Sequence, residues 1–273
     1  MEHINKFVDK YKLKIGGTEF WVPYPYEKLT LQHRREFSGK KPAPLPFKGR
    51  GTPEQIKEYL IDALEKEKTK PKTPEEYRAF MSSINLGVEC SGFAYYVLDE
   101  YLKENYNEEL RNHLYKSKEQ LLEIYGHPNL SPPKGLKRSV VETYPNWVSL
   151  ARIQKDWGNN PRYVIDAPVF SNEGSTIPVK IADIQPADII SMVGHDNIGH
   201  PLLVVSVNNN VIVYAHSAGR HGRKSHYGGV EYGEIKIIDT ELPIEKQEWQ
   251  DKLLLKAHKF KPGAIRRLKT LEK

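Results

Sequence analysis

Long apolar runs are missing from this chain. Nowhere do about 18 hydrophobic residues follow one another, the length a membrane-spanning helix needs, so no membrane partner is expected. Cysteine is all but absent: Cys90 is the single one. One thiol excludes an internal disulfide and leaves the redox compartment open. No segment recurs at a fixed period, which excludes a repeat array. The opening residues, Met1-Glu2-His3-Ile4-Asn5-Lys6, lack the basic-then-apolar order of a secretory leader. The expectation is a cytoplasmic protein. Charge of one sign is in small excess, +6 net over 273 residues. That favours anionic partners without pointing to one. With 38% hydrophobic and 28% charged residues, the composition is that of an ordinary globular protein, and the length suits one large domain with additions.

The elements can be read in order. Lys12-Leu13-Lys14-Ile15 and Thr18-Glu19-Phe20-Trp21-Val22 flank Gly16-Gly17, a hairpin signal. Residues 30 to 51 are basic and proline-rich and read as a solvated arm or linker. Thr52-Pro53-Glu54-Gln55 and Thr73-Pro74-Glu75-Glu76 each open a helix with a capping box and a proline in the first turn. Those helices are expected to run to about Lys66 and Ser82. A third helix follows Glu89, with Phe93, Ala94, Val97, Leu98, Tyr101 and Leu102 on its apolar face. Further helices are expected over about 107–125 and 145–156.

From residue 163 the period changes to short β-branched runs: 163–165, 177–181, 187–192, 202–207, 211–215 and 234–238. The end, from Lys252, reads as a basic helix and solvated tail. Helices first and an antiparallel meander afterwards is the α+β order. The expected organisation is a hairpin and arm over 1–51, a main domain over 52–243 with a helical insertion at about 103–160, and a basic tail over 244–273.

Chemistry concentrates at two places. Cys90 falls in the first turn of its helix, where free N–H groups and the positive dipole end favour a thiolate. A buried structural cysteine is the competing reading. A thiolate nucleophile needs a base in reach, and the base needs an orienting group. The strand half offers His195, His200, His216, His221 and His226. If Asn208-Asn209-Asn210 is a hairpin loop, Val207 pairs with Val211 and Leu202 lies opposite His216. His200 then shares a face with His216, roughly 7–8 Å away across the diagonal. A slip of one residue would part them. The four-residue gap in His195/His200 and again in His221/His226 also suits metal ligands. Supporting Cys or carboxylate ligands at zinc spacing are missing, so no metal is expected.

Four motifs now stand in order: Glu89-Cys90-Ser91-Gly92-Phe93, Gln185-Pro186-Ala187-Asp188-Ile189-Ile190, Gly199-His200 entering a strand, and Tyr214-Ala215-His216-Ser217. Together they resemble the NlpC/P60 family of papain-like cysteine peptidases, over residues 75–240. The family pattern is D-C-S-G-F, P-G-D-L, a histidine heading an apolar strand, and an H-A-S-like turn. The resemblance implies a papain-like α+β fold, with helices packed on an antiparallel sheet. It implies Cys90 as nucleophile, His200 as base and His216 as the orienting residue, with Tyr77, Glu89 and Ser91 at the substrate.

Known members cleave the γ-D-glutamyl to diamino-acid bond of peptidoglycan stems without a cofactor. The implied partner is therefore a peptidoglycan-type peptide, with release to the cell wall as the alternative to a cytoplasmic location; nucleic acid is not expected. Two departures bear on substrate: Glu89 stands where the family has an aspartate that grips a free amine, and Ala187 replaces a turn glycine. The alternatives are an acyltransferase or amidase on the same fold, or a non-catalytic module binding an anionic polymer.

Overall fold

The computed structural model describes residues 4–25, 45–114, 167–194, 199–219 and 228–272. Outside these lie most of the arm at 30–51, the expected helix at 145–156, the strand at 163–165, most of the insertion, and His195, His221 and His226. Within them the chain is α+β. Helix α1 (Asn5–Asp9) leads to the hairpin β1 (Lys12–Ile15) and β2 (Thr18–Trp21). Gly16 and Gly17 both have positive φ, +57° and +85°, as a tight two-residue hairpin turn requires.

Helices α2 (Pro53–Lys66) and α3 (Pro74–Ser83) begin where the capping boxes place them. In each, the threonine hydroxyl accepts from the third helical N–H, and that residue's side chain returns to the threonine N–H. Helix α4 (Cys90–Tyr106) is the longest among the described residues, at 17 residues, and ends at Asn107 in the left-handed conformation. Of the helix expected over 107–125, the described part is the single turn α5 (Arg111–Leu114).

Among the described residues, seven antiparallel strands form one curled sheet in the order β3 (Thr176–Pro178), β9 (His258–Leu268), β4 (Ile189–Gly194), β5 (Gly199–Asn208), β6 (Val211–Ala218), β7 (Gly229–Lys236) and β8 (Glu248–Trp249). The C-terminal segment is the main correction to the sequence reading. Helix α6 covers only Lys252–Ala257, and the chain then runs as the 11-residue strand β9 between β3 and β4. Residues 244–273 are thus not a solvated tail. The error came from reading Lys and Arg as solvent-facing. Arg266 and Arg267 are drawn inward, where the Arg266 guanidinium donates to Thr176 Oγ1 (3.0 Å) and to the Thr176 carbonyl (3.2 Å).

The hairpin between β5 and β6 differs from expectation in a way that cancels. Its loop is two residues, Asn209 and Asn210, both with positive φ (+47° and +63°), so Asn208 pairs with Val211 and Val207 with Ile212. That is one residue off the expected register. A bulge at Val205 then takes up one residue, and Val204 pairs with Tyr214 and Leu203 with Ala215. Beyond the bulge the expected register is restored.

The sheet separates two cores. On one face Phe93, Ala94, Val97 and Leu98 of α4 pack with Ile189, Leu203, Val205 and Ala215. On the other, Ile190, Met192, Leu202, Val204 and Tyr214 pack with Trp249, Leu254 and Ile265. The turn into β4 is held by a buried ion pair. Asp188 is fully buried and receives Arg267 Nε and Nη2 at 2.7 and 2.8 Å, plus the Gln185 N–H at 2.8 Å. Burial pushes the Asp188 carboxyl above the usual carboxylate range, while Arg267 and the Gln185 N–H pull it back. Ala187, next to it, sits at φ +72°, where a side chain costs about 1–2 kcal/mol.

Removing Arg267 leaves a buried charge without its partner. Arg267→Ala is expected to cost about 3–5 kcal/mol near neutral pH. Asp188, with its folded pKa raised further, then stabilises the fold only when protonated, and that contribution is lost as pH rises through the raised value. Urea unfolding at pH 5 and pH 8 should therefore show a smaller deficit at the lower pH.

Candidate active site

Cys90 opens α4 behind Glu89, whose φ and ψ (−90°, 168°) are extended. The first intrahelical bond is Phe93 N–H to Glu89 O at 2.9 Å, so the N–H groups of Cys90, Ser91 and Gly92 belong to the open N-terminus of the helix. Cys90 is 8% exposed. Two N-terminal segments hold this corner: the Val88 N–H donates to Pro23 O at 3.1 Å, and the Glu89 N–H to Gly49 O at 2.8 Å. Both approaches depend on glycine. A Cβ at Gly87 would lie 2.4 Å from Pro23 O, and one at Gly92 would lie 2.3 Å from Gly49 O. The glycine of the Cys-Ser-Gly motif thus lets the chain at 49–50 cross the first turn of α4.

Glu89 does not cap the helix with its side chain. Its Oε1 accepts from Arg50 Nε at 2.6 Å and from Ser91 Oγ at 2.8 Å. A carboxylate one residue before the thiol is therefore charge-paired. Ser91, expected at the substrate, is 1% exposed, and its hydroxyl is spent on ordering Glu89. Tyr77, expected near the substrate, is placed in packing contacts. It is buried in the first core and stacks on Phe20 at 4.6 Å between centroids, and its hydroxyl donates to the Ile15 carbonyl at 3.4 Å. It fastens the N-terminal hairpin to α3.

The two strand histidines meet. His200 Nε2 lies 2.8 Å from His216 Nδ1, and the residues are 6% and 1% exposed. His200 is the second residue of β5 and His216 the third from the end of β6, so both stand at one rim of the sheet. Alternation sends Leu203 and Ala215 towards α4 and puts the imidazoles on the reverse face, continuous with Leu202 and Tyr214. At the same rim Ser217 Oγ donates to the Val88 carbonyl at 2.6 Å. That bond fixes the start of α4 alongside the end of β6.

Two further residues join the pair. Glu231 on β7 lies directly across from His216 and places Oε1 3.3 Å from His216 Nε2. His258, the first residue of β9, stacks on His200 with centroids 5.1 Å apart and planes 28° from parallel. Its Nδ1 is 2.9 Å from the Leu254 carbonyl, which accepts from it. Sequence reasoning missed both. The β6–β7 connection is too long for a register estimate, and His258 lay in the segment read as a tail. Among the described residues, no group of three or more His, Cys, Asp or Glu side chains is placed to hold a metal ion, and no helix is long and apolar enough to cross a membrane.

No family model matches the chain, and no curated protein or solved structure matches it. The likeness to NlpC/P60 enzymes therefore rests on the four short sequence motifs.

The crossing at Gly92 gives a direct check. Gly92→Ala should destabilise the chain by about 1–3 kcal/mol through overpacking and loosen the segment at 49–50. The measurement is urea denaturation combined with hydrogen exchange at the Glu89 amide. Unchanged stability and unchanged exchange would mean that the crossing is not a constraint.

Proposed function

We propose that this chain is a papain-like cysteine hydrolase of the NlpC/P60 kind, cleaving an amide bond in a peptidoglycan-type peptide. The observation that carries the reading is the 2.8 Å contact between His200 Nε2 and His216 Nδ1, at the rim where Ser217 ties β6 to the start of the Cys90 helix.

With Nε2 of His200 engaged by His216, Nδ1 is the nitrogen through which His200 acts as base. The mechanism requires that, at the rim where α4 begins beside the end of β6, the Cys90 sulfur reaches that nitrogen; His200 then accepts the thiol proton, and the sulfur attacks the amide carbonyl. The Cys90 N–H, at the open N-terminus of α4, supports the oxyanion. The His200 imidazolium then returns its proton to the leaving amine as the C–N bond breaks, leaving a thioester. Water, deprotonated by His200, adds to the thioester carbonyl; collapse releases the acid and restores the thiol. The reaction needs no cofactor. His216 holds the ring of His200 in place and stabilises its positive charge.

The paired state of Glu89 bears on substrate. A free carboxylate beside the nucleophile would hold the ammonium of a stem peptide as an ion pair. Here Oε1 is shared by Arg50 and Ser91, and the net charge available to an ammonium is reduced. Stem peptides with a blocked amino end should be accepted alongside free ones.

Incubation with purified muropeptides, followed by mass analysis of the products, tests the reading. The wild-type chain should cleave one stem-peptide amide. Cys90→Ala should abolish cleavage and iodoacetamide labelling while unfolding normally, and His200→Ala should lower turnover by about 100-fold or more. Cleavage retained by Cys90→Ala would end the proposal. Transfer to an added amine in place of water would assign the acyltransferase branch of the same chemistry.

A further inference from the structure

We infer that Glu231 is a positioning residue that sets the tautomers of two imidazoles in series. The inference deepens the function proposed above, because it concerns how His200 is kept in the form that accepts a proton.

The geometry is a line of three groups. His216 is 1% exposed, and its two ring nitrogens face different partners: Nδ1 meets His200 Nε2 at 2.8 Å, and Nε2 meets Glu231 Oε1 at 3.3 Å. An ionised carboxylate only accepts hydrogen bonds. Nε2 of His216 must then carry its hydrogen, and in the neutral ring Nδ1 holds the lone pair. That lone pair accepts from His200 Nε2–H, so the lone pair of neutral His200 stands on Nδ1. One acceptor-only group at the end of the line thus determines which nitrogen of His200 is basic.

A histidine pair alone does not have this direction. In the reverse arrangement His216 Nδ1–H donates to His200 Nε2, and His200 then carries its hydrogen on Nδ1, where it accepts no thiol proton. The carboxylate lowers the energy of the first arrangement and leaves the second with Nε2 of His216 facing an acceptor without a hydrogen to give.

The sheet builds this placement in. His216 and Glu231 are register partners across β6 and β7. Two residues on, Gly233 is opposite Tyr214, and a Cβ there would meet the Tyr214 ring at 2.3 Å. The absent side chain lets that ring lie over β7 and wall one side of the line, with centroids of Tyr214 and His216 5.6 Å apart. Among the described residues, Tyr214 from β6 and His258 from β9 are titratable groups that meet the line, the latter stacked on His200. The Glu231 side chain is 39% exposed and reaches the line from the solvent side.

The test uses the full chain with 15N-labelled histidine, reading ring nitrogen shifts through two-bond correlations. Wild type is expected to show His200 and His216 both protonated on Nε2 when neutral. Glu231→Ala removes the acceptor, and Glu231→Gln offers an amide that donates to His216 Nε2. Both should shift His200 towards the Nδ1–H tautomer and slow Cys90 alkylation by iodoacetamide by about 10–100-fold. Glu231→Asp should recover part of the loss. Unchanged tautomers of His200 and His216 in both variants would overturn the inference. The ring shifts judge Glu231 whether or not any peptide is cleaved. Absence of wild-type turnover and thiol reactivity would count against the proposed function and leave the tautomer result to stand by itself.

Discussion

The pairing of β5 with β6 is the constraint on which the site depends. Side chains alternate along a strand, so a shift of one residue moves every one of them to the other face. The tight Asn209-Asn210 turn starts the hairpin in one register, and the bulge at Val205 changes it before the strands reach His200 and His216. Without the bulge, Leu203 in place of Leu202 would lie opposite His216, and the imidazoles would face apart. A local irregularity in the ladder thus produces the 2.8 Å contact. The bulge also lets Val207 and Ile212 share a face with Val204 and Tyr214, which keeps the second core continuous past it.

The nucleophile candidate is positioned by different means. Cys90 is placed by chain crossings on either side of it, Pro23 against Gly87–Val88 and Gly49 against Glu89 and Gly92. These are backbone contacts between segments distant in sequence, and they work because two glycines carry no Cβ. The Arg50–Glu89 pair adds a side-chain clamp at the same corner, with both partners partly shielded from water. Its strength comes from shielding and from the third contact with Ser91, since a freely exposed pair would contribute little. The N-terminal region, expected to be an appendage, is therefore part of the corner that presents the thiol.

Local signals in the sequence were legible, and long-range ones were legible only where a short turn linked them. Both capping boxes, the Gly16-Gly17 turn and the apolar face of the Cys90 helix depend on residues within a few positions of one another, and each is found where it was read. His200 and His216 were also within reach, because a short hairpin joins them, although the loop length was misjudged and the bulge unseen. Glu231 and His258 were out of reach. Nothing near them in sequence reports which strand they face. The basic end of the chain misled because charge was taken for exposure. Arg267 is nearly buried, and its partner Asp188 is fully so. A buried pair leaves no periodic trace when its members are 79 residues apart.

That last pair also explains how the C-terminal strand belongs to the site. β9 enters between β3 and β4 and brings Arg267 onto Asp188, in the turn that launches β4. β4 pairs with β5, and Met192 is the register partner of His200. The other end of β9 delivers His258 onto the His200 ring. One strand thus anchors the turn that positions the neighbour of His200 and also covers the imidazole itself. The Leu254 carbonyl accepts from Nδ1 of His258 and so fixes the plane of the ring that stacks on His200. The anchoring of β9 and the seating of the His200 imidazole are thus one constraint, set at the two ends of a single strand.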